Sequence, residues 1–204
     1  MVRCTASFGL ASLRFAPPRR PLPSPCWAVI GPFPSAWQSN DQGFSDVVKR
    51  SILAIHGPEI QTDGNAAFAG RDGKQLAWQT VETSESRYAA MGVDFMKRLD
   101  VYSADICYAM THVKTERNRT VRFFLGCDWW GEAFLNGERI ISERPAARKE
   151  EDGAQFNAFK PIPATITLKK GWNTLLVKVL GGSTGSGFTA FLEDSGDMTI
   201  VSQP

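Results

Sequence analysis

The chain has few of the residues that build metal centres and many catalytic sites. Its 204 residues include only two histidines and four cysteines, and Cys4, Cys26, Cys107 and Cys127 show no C-x-x-C spacing. A structural zinc site needs about four such ligands at close spacing, so the sequence argues against one. It also lacks an H-E-x-x-H helix, the signature of zinc proteases, and GGSTGSG (181–187) precedes a predicted strand and not the helix that follows the serine of an α/β-hydrolase elbow.

Long apolar runs and a strong charge imbalance are missing as well. No stretch reaches the ~18 apolar residues of a membrane-crossing helix, so we expect no membrane span. The net charge is only +2, and acidic and basic residues are mixed in the run ERPAARKEED. That run is typical of a solvated loop, and we expect no nucleic-acid partner. The 43 % hydrophobic and 22 % charged residues suit a globular domain with a sizeable core.

Residues 1–25 differ in composition from the rest of the chain. They contain four arginines, no acidic residue and the proline cluster PPRRPLPSP. Proline at this density disfavours both helix and sheet, so we expect an extended or disordered leader over 1–25 and a folded domain over 26–204. A poor secretory signal, a transit peptide and non-native sequence all remain open for this leader. We expect an extracellular or periplasmic location.

A dense series of short apolar runs fills residues 101–194. Each run is rich in β-branched or aromatic residues and ends at a turn-forming residue, as in TVRFFLGC, EAFLNGERII and GFTAFLED. This pattern is typical of antiparallel strands joined by tight turns. Together with CWAVIGPF and QLAWQTVET, it predicts an all-β, antiparallel two-sheet β-sandwich of about eight or nine strands. The segment FSDVVKRSILA has near-helical spacing and predicts one or two helical turns.

Three turns indicate how these strands pair. Asn136-Gly137 is typical of a two-residue type I′ hairpin, because both residues tolerate positive φ. The TERNR turn predicts a hairpin between VYSADICYAMTHV and RTVRFFLGC, which would place Cys107 nearly opposite Cys127. These cysteines are then either two small buried residues or a cross-strand disulfide made in an oxidising compartment. The KKG turn predicts a further hairpin within ATITLKKGWNTLLVKVL.

Three motifs carry a resemblance to a known family. WAVIGPF (27–33), FLNGE (134–138) and GWNTLLVKV (171–179) resemble the galactose-binding-like β-sandwich, a jelly-roll, and the resemblance covers roughly Trp27 to Asp194. Such domains serve as carbohydrate-binding modules, and a relative is the sugar-binding domain of β-galactosidase-type glycoside hydrolases. The motifs encode turns and core strands, so they identify the fold better than the ligand.

Two adjacent tryptophans depart from those relatives, which tend to carry small and acidic residues at this turn. Neighbouring residues of a regular strand face opposite sides, so Trp129 and Trp130 cannot both lie in the core. An exposed indole would stack on a sugar ring, and Asp128 would accept hydrogen bonds from its hydroxyls. Alternatively, one tryptophan lies in the core and the other caps its edge.

The other tryptophans divide into one loop residue and three strand residues. Trp37 lies in the polar loop SAWQSNDQ with Asn40, which together would supply a stacking surface and an amide to a sugar. Alternatively, Trp37 anchors this loop against the end of the sandwich. The remaining three are predicted to be core residues: Trp27, Trp78 and Trp172.

The resemblance also implies a cation, because sandwich domains of this kind often hold a structural Ca²⁺. Calcium takes six to eight oxygen ligands, many of them from the backbone, so spacing is a weak guide. Asp41 and Asp194 are the candidate metal ligands that we put first, and Asp46, Asp63 and Asp72 are further candidates.

Catalysis is the competing class of function. Glycoside hydrolysis needs two facing carboxylates, and turns or charged loops account for the available acids, which are Glu132, Glu138, Glu151 and Asp152. We interpret His56 as a loop residue and His112 as a half-buried, hydrogen-bonded strand residue. An enzyme would require that two carboxylates, or one carboxylate and a histidine, converge in a pocket.

The sequence therefore favours a non-catalytic carbohydrate-binding module that uses aromatic stacking and polar loop residues. The alternative is a structural or protein-interaction sandwich that docks on a catalytic domain of a glycan-processing enzyme. The two differ in what they expose. A sugar site presents flat aromatic and polar groups, whereas a docking domain presents an apolar patch without a groove.

Overall fold

The structure is a computed structural model that describes residues 19–21, 26–37, 46–81, 92–99, 101, 104–128, 130–141, 161–182, 185–193 and 197–204. The strands of these segments, in chain order, are β1 (Arg19–Pro21), β2 (Ala28–Phe33), β3 (Ala67–Ala69), β4 (Gln75–Ala77), β5 (Gln79–Thr80), β6 (Gly92–Asp94), β7 (Ile106–Thr115), β8 (Arg119–Asp128), β9 (Trp130–Leu135), β10 (Glu138–Ile141), β11 (Ile162–Leu168), β12 (Gly171–Leu180), β13 (Gly187–Glu193) and β14 (Met198–Val201). The α-helices are α1 (Asp46–Leu53) and α2 (Phe95–Leu99), and Arg71–Gly73 forms a 3-10 turn.

Two antiparallel sheets carry the fold. The five-stranded sheet has the order β1-β13-β8-β11, with β6 also paired to β13. The seven-stranded sheet has the order β10-β9-β12-β7-β2-β5, with β14 also paired to β7. Strands β3 and β4 form a small separate ribbon. The predicted all-β class with antiparallel sheets is therefore confirmed.

The two sheets share one apolar core. Val177 and Ala109 from the seven-stranded sheet belong to the same fully buried cluster as Phe123 and Phe188 from the five-stranded sheet. Trp27, just before β2, packs edge-on against Phe188 with ring centroids 4.9 Å apart. The alternation of strand side chains places these residues on the inner faces, where a buried side chain of the size of Val or Phe contributes about 1.5–3 kcal/mol to stability.

Part of the outer face of the seven-stranded sheet is covered as well. Helix α1 lies across β12 and β9 and buries Val48 and Ile52 against Leu176 and Met110 of the sheet. Because both faces of its central strands are buried, β7 and β12 read as almost continuous apolar runs rather than as strict alternations. The predicted helical segment is thus confirmed, and it covers part of this face.

Strands β7 and β8 do not form the predicted hairpin. β7 pairs with β12, β2 and β14, whereas β8 pairs with β11 and β13, so the TERNR turn carries the chain from one sheet to the other. Cys107 and Cys127 consequently lie in different sheets as free, fully buried thiols, and the disulfide alternative is wrong. Burial raises the pKa of both thiols above the ordinary value.

The hairpin predicted at the KKG turn is also wrong, because β11 pairs with β8 while β12 pairs with β7 and β9. Asn173 holds this second crossing together. Its side-chain oxygen accepts the backbone N–H of Lys169 at 2.9 Å, and its amide donates to the carbonyls of Lys169 and Gly171 at 2.7 and 3.2 Å. Asn173 is 1 % exposed, so these bonds are shielded from water.

The predicted hairpin at Asn136-Gly137 is confirmed. The two residues link β9 to β10, and their φ angles are 51° and 83°, as a type I′ turn requires. The turn also contacts the neighbouring strand, because Asn136 N donates to the carbonyl of Thr174 at 2.8 Å.

The sheet reaches into the segment expected to be a leader. Arg19–Pro21 forms β1 and pairs with residues 191–193 at the edge of the five-stranded sheet. The rest of that segment lies outside the described residues. No helix among the described residues is long and apolar enough to cross a membrane.

Candidate functional site

The expected stacking platform is not found at the two predicted tryptophans that the structure describes. Trp130 is 1 % exposed and Trp37 is 3 % exposed, and both pack in the cluster under α1. Because this cluster covers the outer face of the sheet, neither indole presents a face to solvent. Trp129 and Asn40 lie outside the described residues, and Asp128 is half-buried at the end of β8.

The other three tryptophans give a different result. Trp27 and Trp78 are buried, as predicted, but Trp172 is 44 % exposed, so its assignment to the core is wrong. Trp172 lies near the start of β12, on the outer face and beyond the part of the sheet that α1 and its neighbours cover.

The metal prediction falls mainly outside the described residues, which include neither Asp41 nor Asp194. Of the further candidates, Asp63 accepts the backbone N–H of Asn65 at 2.9 Å, and the side chain of Asp72 is 91 % exposed. Among the residues that the structure describes, no three His, Cys, Asp or Glu side chains group as a metal site. A Ca²⁺ site at Asp41 and Asp194 stays a prediction.

A row of polar side chains crosses the outer face of the seven-stranded sheet. The strand register places Lys178 of β12 opposite Tyr108 of β7 on one side and opposite Glu132 of β9 on the other. The ammonium of Lys178 lies 3.9 Å from the carboxylate of Glu132, and the two residues are 1 % and 2 % exposed. Charges this deeply buried persist only when they are paired.

Glu59 completes this row from the loop after α1. Its Oε1 accepts the hydroxyl of Tyr108 at 2.6 Å and the ammonium of Lys178 at 2.8 Å. Its Oε2 accepts the backbone N–H groups of His56 and Gly57, both at 3.2 Å. Four donors therefore hold one carboxylate, and that carboxylate ties the loop to the sheet. We call Glu59, Tyr108, Glu132 and Lys178 the buried charge cluster.

The loop has the local sequence that this arrangement requires. Gly57 has φ +116°, and a Cβ there would lie 2.5 Å from the ring of Phe68, so only glycine fits. Its carbonyl accepts the N–H of Ile60 at 2.9 Å, which closes the turn and places Glu59 over the sheet. Lys178 also donates to the carbonyl of Ala54 and so holds the start of the loop.

The two carboxylates differ in their electrostatic surroundings. Burial alone would raise the pKa of Glu59, but the charge of Lys178 and the hydrogen bonds from Lys178 and Tyr108 bring it below its usual value. Burial raises the pKa of Glu132 above its usual value, by more than the neighbouring cations lower it. Glu132 is thus the less fully compensated carboxylate. Burial, and then the charge of Lys178, lowers the pKa of His56.

A cleft of about 500 Å³ opens beside the buried charge cluster. Arg139 of β10 reaches it from the rim, with its Nη1 3.0 Å from Glu132 Oε1 and its side chain 47 % exposed. The carboxylates and the ammonium beneath it are at most 6 % exposed, so Arg139 carries the accessible charge. The apolar part of the wall comes from Leu53, Ile55, Ile60 and Phe134.

Two carboxylates therefore converge at a pocket, and such convergence is what an enzyme of this kind would require. However, the ammonium of Lys178 lies 2.8 Å from Glu59 and 3.9 Å from Glu132. Both carboxylates are thus held in ion pairs instead of facing each other across a bond to be broken. The cleft therefore combines a buried hydrogen-bond acceptor, an accessible guanidinium and an apolar wall.

Sequence reasoning missed this cluster, although a signal was present. Glu132 lies inside β9 between buried neighbours, and not in the turn or charged loop that its sequence context predicts. Lys178 and Glu132 are each the lone charge in an apolar strand, LLVKVL and WGEAFL. A lone charge in a buried strand requires a partner. The partner Glu59 comes from a distant loop, which no local pattern identifies.

His56 lies in a loop and His112 is hydrogen-bonded, as predicted, but His112 is buried and not half-buried. His56 lies in the loop, with its ring 5.3 Å from the ring of Phe33. His112 of β7 is 8 % exposed, and its Nδ1 lies 3.2 Å from the hydroxyl of Thr174. His112 lies outside the set of residues that line the cleft.

No family model and no curated protein matches the chain. Among solved structures, the chain is similar to a β-glucosidase from Kluyveromyces marxianus. One such structure is 20 % identical over 52 % of this chain and 14 % of that chain, with a TM-score of 0.41. The same enzyme in complex with glucose is 17 % identical over 65 % and 15 %, with a TM-score of 0.39.

A GH31 α-xylosidase from Xanthomonas citri is 8 % identical over 63 % of this chain and 15 % of that chain, with a TM-score of 0.31. The chain thus matches about 15 % of the length of these solved structures. At such identities and TM-scores the likeness assigns no activity to the chain.

Proposed function

We propose that the chain is a non-catalytic carbohydrate-binding domain that holds its ligand in the cleft beside Glu132 and Arg139. The observation that carries the proposal is this pair. A buried carboxylate and a half-exposed guanidinium lie 3.0 Å apart at the edge of an apolar-walled cleft. The proposed site therefore lies on the outer face of β9, β10 and β12, and not at the predicted tryptophans.

A sugar ring matches the chemistry of this cleft. Its hydroxyls can accept the N–H groups of Arg139 that point away from Glu132, while Glu132 orients this guanidinium from beneath the cleft. Hydrogen bonds to charged partners are about twice as strong as neutral ones. The CH faces of the ring can pack on Ile55 and Phe134. The volume of the cleft also falls within the usual range for small-ligand sites.

The ion pairs of the cluster support a binding role over a catalytic one. Glu59 accepts four hydrogen bonds and is 6 % exposed, so it has no free acceptor for a proton from a substrate or water. With Glu59 committed to structure, Glu132 lacks the second carboxylate that glycoside hydrolysis needs.

We further propose that the two sheets form a galactose-binding-like jelly-roll, and that the domain is an extracellular or periplasmic accessory to a glycan-processing enzyme. The crossings of the chain between sheets at the TERNR and KKG turns support the jelly-roll, a double-sheet fold with such connections. Polysaccharides outside the cell are the ligands that such an accessory domain would meet.

Affinity gel electrophoresis in soluble galactan, xylan, mannan and xyloglucan tests the binding role. We expect at least one polysaccharide to retard the wild type, and Arg139→Gln to weaken this retention about tenfold, since a charge-assisted hydrogen bond contributes about 1.5–3 kcal/mol. Arg122→Gln is the matched control, because Arg122 is 48 % exposed and also paired with a glutamate, but lies on the five-stranded sheet.

The control should be retained like the wild type. An unretarded wild type, or equal retention of all three proteins, would overturn the binding proposal. The same polysaccharides incubated with the wild type should release no reducing sugar. Release that Glu132→Gln abolishes would instead assign catalysis to the cleft.

A second candidate is the docking role, and one observation favours it. Leu53, Ile55 and Ile60 are 43 %, 66 % and 77 % exposed and lie together on the rim of the cleft. Exposed apolar residues of this kind also suit a protein interface. The docking role predicts that Ile60→Lys disrupts a complex with a catalytic domain while the polysaccharide retention of the free domain is unchanged.

A further inference from the structure

Among the large apolar residues that are exposed in the described part of the chain, Trp172 is the one aromatic residue. It lies on the outer face of β12, the same face as Lys178, because the two are six positions apart and strand side chains alternate with a period of two. The strand register places Lys114 of β7 opposite Trp172, and Thr199 of β14 lies next to Lys114.

The groups around this indole are polar. The ammonium of Lys114 lies 6.0 Å from the ring centroid, at the limit of a cation–π contact, and 4.0 Å from the carboxylate of Glu116. Thr199 is exposed, and its hydroxyl can both donate and accept. A flat apolar surface with hydroxyl and ammonium groups beside it is suited to a ring that carries hydroxyls.

The cleft and Trp172 are connected along the same surface. Gly137, in the turn between β9 and β10, lines the cleft. The preceding residue, Asn136, exchanges two hydrogen bonds with Thr174, one in each direction, at 2.8 and 2.9 Å. The near end of the cleft is thus two residues of β12 away from Trp172. The whole span from Lys178 to Trp172 is about 20 Å, at about 3.3 Å per residue.

We propose that Trp172 is a second binding subsite, on which a distal ring of an oligosaccharide stacks while another ring occupies the cleft. This inference rests on the proposed function, and it specifies the ligand class as an extended oligosaccharide. A disaccharide is too short to occupy both places, whereas a hexasaccharide is long enough.

Isothermal titration with a disaccharide and a hexasaccharide of the polysaccharide that retards the wild type most strongly tests the subsite. We expect Trp172→Ala to weaken hexasaccharide binding about tenfold, which corresponds to about 1.4 kcal/mol, and to leave disaccharide binding unchanged. Trp172→Phe should recover part of the loss, because a phenyl ring still stacks. Met96→Ala removes another exposed apolar side chain, 37 % exposed and located on α2, and should bind both sugars like the wild type.

Unchanged hexasaccharide binding by Trp172→Ala, or an equal loss for both sugars, would overturn the subsite while leaving the cleft in place. Failure of the proposed function gives a different result, because then the wild type binds neither sugar or Arg139→Gln binds both like the wild type. Trp172 is exposed, so the circular dichroism spectrum and melting temperature of Trp172→Ala should match those of the wild type.

Discussion

Lys178 is the residue on which the buried charge cluster depends. Its ammonium lies between Glu59 and Glu132 and donates to the carbonyl of Ala54, so it neutralises two carboxylates and fixes the loop after α1. Replacement of this residue would leave buried carboxylates without their cation, which costs more than the pair contributes when intact.

We therefore expect Lys178→Met to lower the free energy of unfolding by about 3–5 kcal/mol, the usual cost of breaking a buried ion pair. Lys114→Met is the matched control, since Lys114 lies on the same face of the sheet but its side chain is 46 % exposed. The control should change stability by less than about 0.5 kcal/mol. Urea denaturation measures both, and similar midpoints for the two variants would contradict the structural role of the cluster.

The two histidines make stability depend on pH. Burial lowers the pKa of His112 below 6.5, and burial with the charge of Lys178 lowers the pKa of His56 in the same direction. The unfolded chain thus binds protons at higher pH than the folded chain does. Stability is accordingly full above the unfolded value and falls as the pH drops from 6.5 toward the folded pKa values.

Urea midpoints from about pH 7.5 to about pH 5.5 should show this decline in the wild type, over the range in which histidines titrate. We expect a shallower decline in His112→Gln and almost none in the double variant with His56→Gln. Glu132 acts in the opposite direction, since its raised pKa favours the folded state as the pH falls and its carboxyl is protonated. An unaltered decline in the double variant would assign the pH dependence to other groups.

The tryptophans show that the burial of a single residue does not follow from its neighbours in the sequence. Trp37 lies in a polar loop but is buried, and Trp172 lies in an apolar strand but is exposed. In both cases the outcome depends on which neighbouring element covers the outer face of the sheet. That coverage comes from α1 and the loop after it, which no pattern around either tryptophan encodes.

At the scale of elements, the strands could be predicted but their partners could not. Alternation and turn residues locate β7, β8, β11 and β12 correctly in the chain. A tight turn, however, can return the chain to the same sheet or carry it to the opposite one, and the local sequence is similar in both cases. Asn136-Gly137 was predictable because its positive φ angles match the twist of a hairpin.

The chain approaches itself closely where β8 leads into β9. A Cβ at Gly131 would lie 2.1 Å from the sulfur of Cys127, whereas a Cβ at Gly137 would meet nothing within 4 Å. Gly131→Ala should therefore destabilise the protein by about 1–3 kcal/mol through overpacking. Gly137→Ala should cost about 1–2 kcal/mol through its left-handed backbone alone.

A double-mutant cycle with Cys127→Ala separates these two causes. We expect the effects of Gly131→Ala and Cys127→Ala to be strongly non-additive, because the smaller side chain at position 127 relieves the clash. The effects of Gly137→Ala and Cys127→Ala should add within about 0.5 kcal/mol. Additive effects in both pairs would mean that β8 and β9 do not approach as closely as the structure has them.

At the scale of the molecule, the seven-stranded sheet is the middle layer. The five-stranded sheet covers one of its faces, and α1 with the loop after it covers part of the other. The candidate site lies where this second cover ends, so that its floor is buried and its rim is open. Glu59, Lys178 and the β9–β10 hairpin that carries Glu132 and Arg139 come from distant parts of the chain, and only the complete fold assembles them.

Because both sheets share one core, the fold should lose its structure as a unit. Phe188 of β13 is fully buried and contacts Trp27 at a centroid distance of 4.9 Å, across the space between the sheets. Phe188→Ala should destabilise the protein by about 3–5 kcal/mol, the usual effect of such a cavity. Hydrogen exchange should show this loss of stability equally in β8 and in β12, since they belong to different sheets but to one cooperative unit.

Ile55→Ala, at a residue that is 66 % exposed, is the control and should leave hydrogen exchange in both strands unchanged. Lost protection in β8 with full protection in β12 would instead show that the seven-stranded sheet and its outer cover are stable independently of the five-stranded sheet.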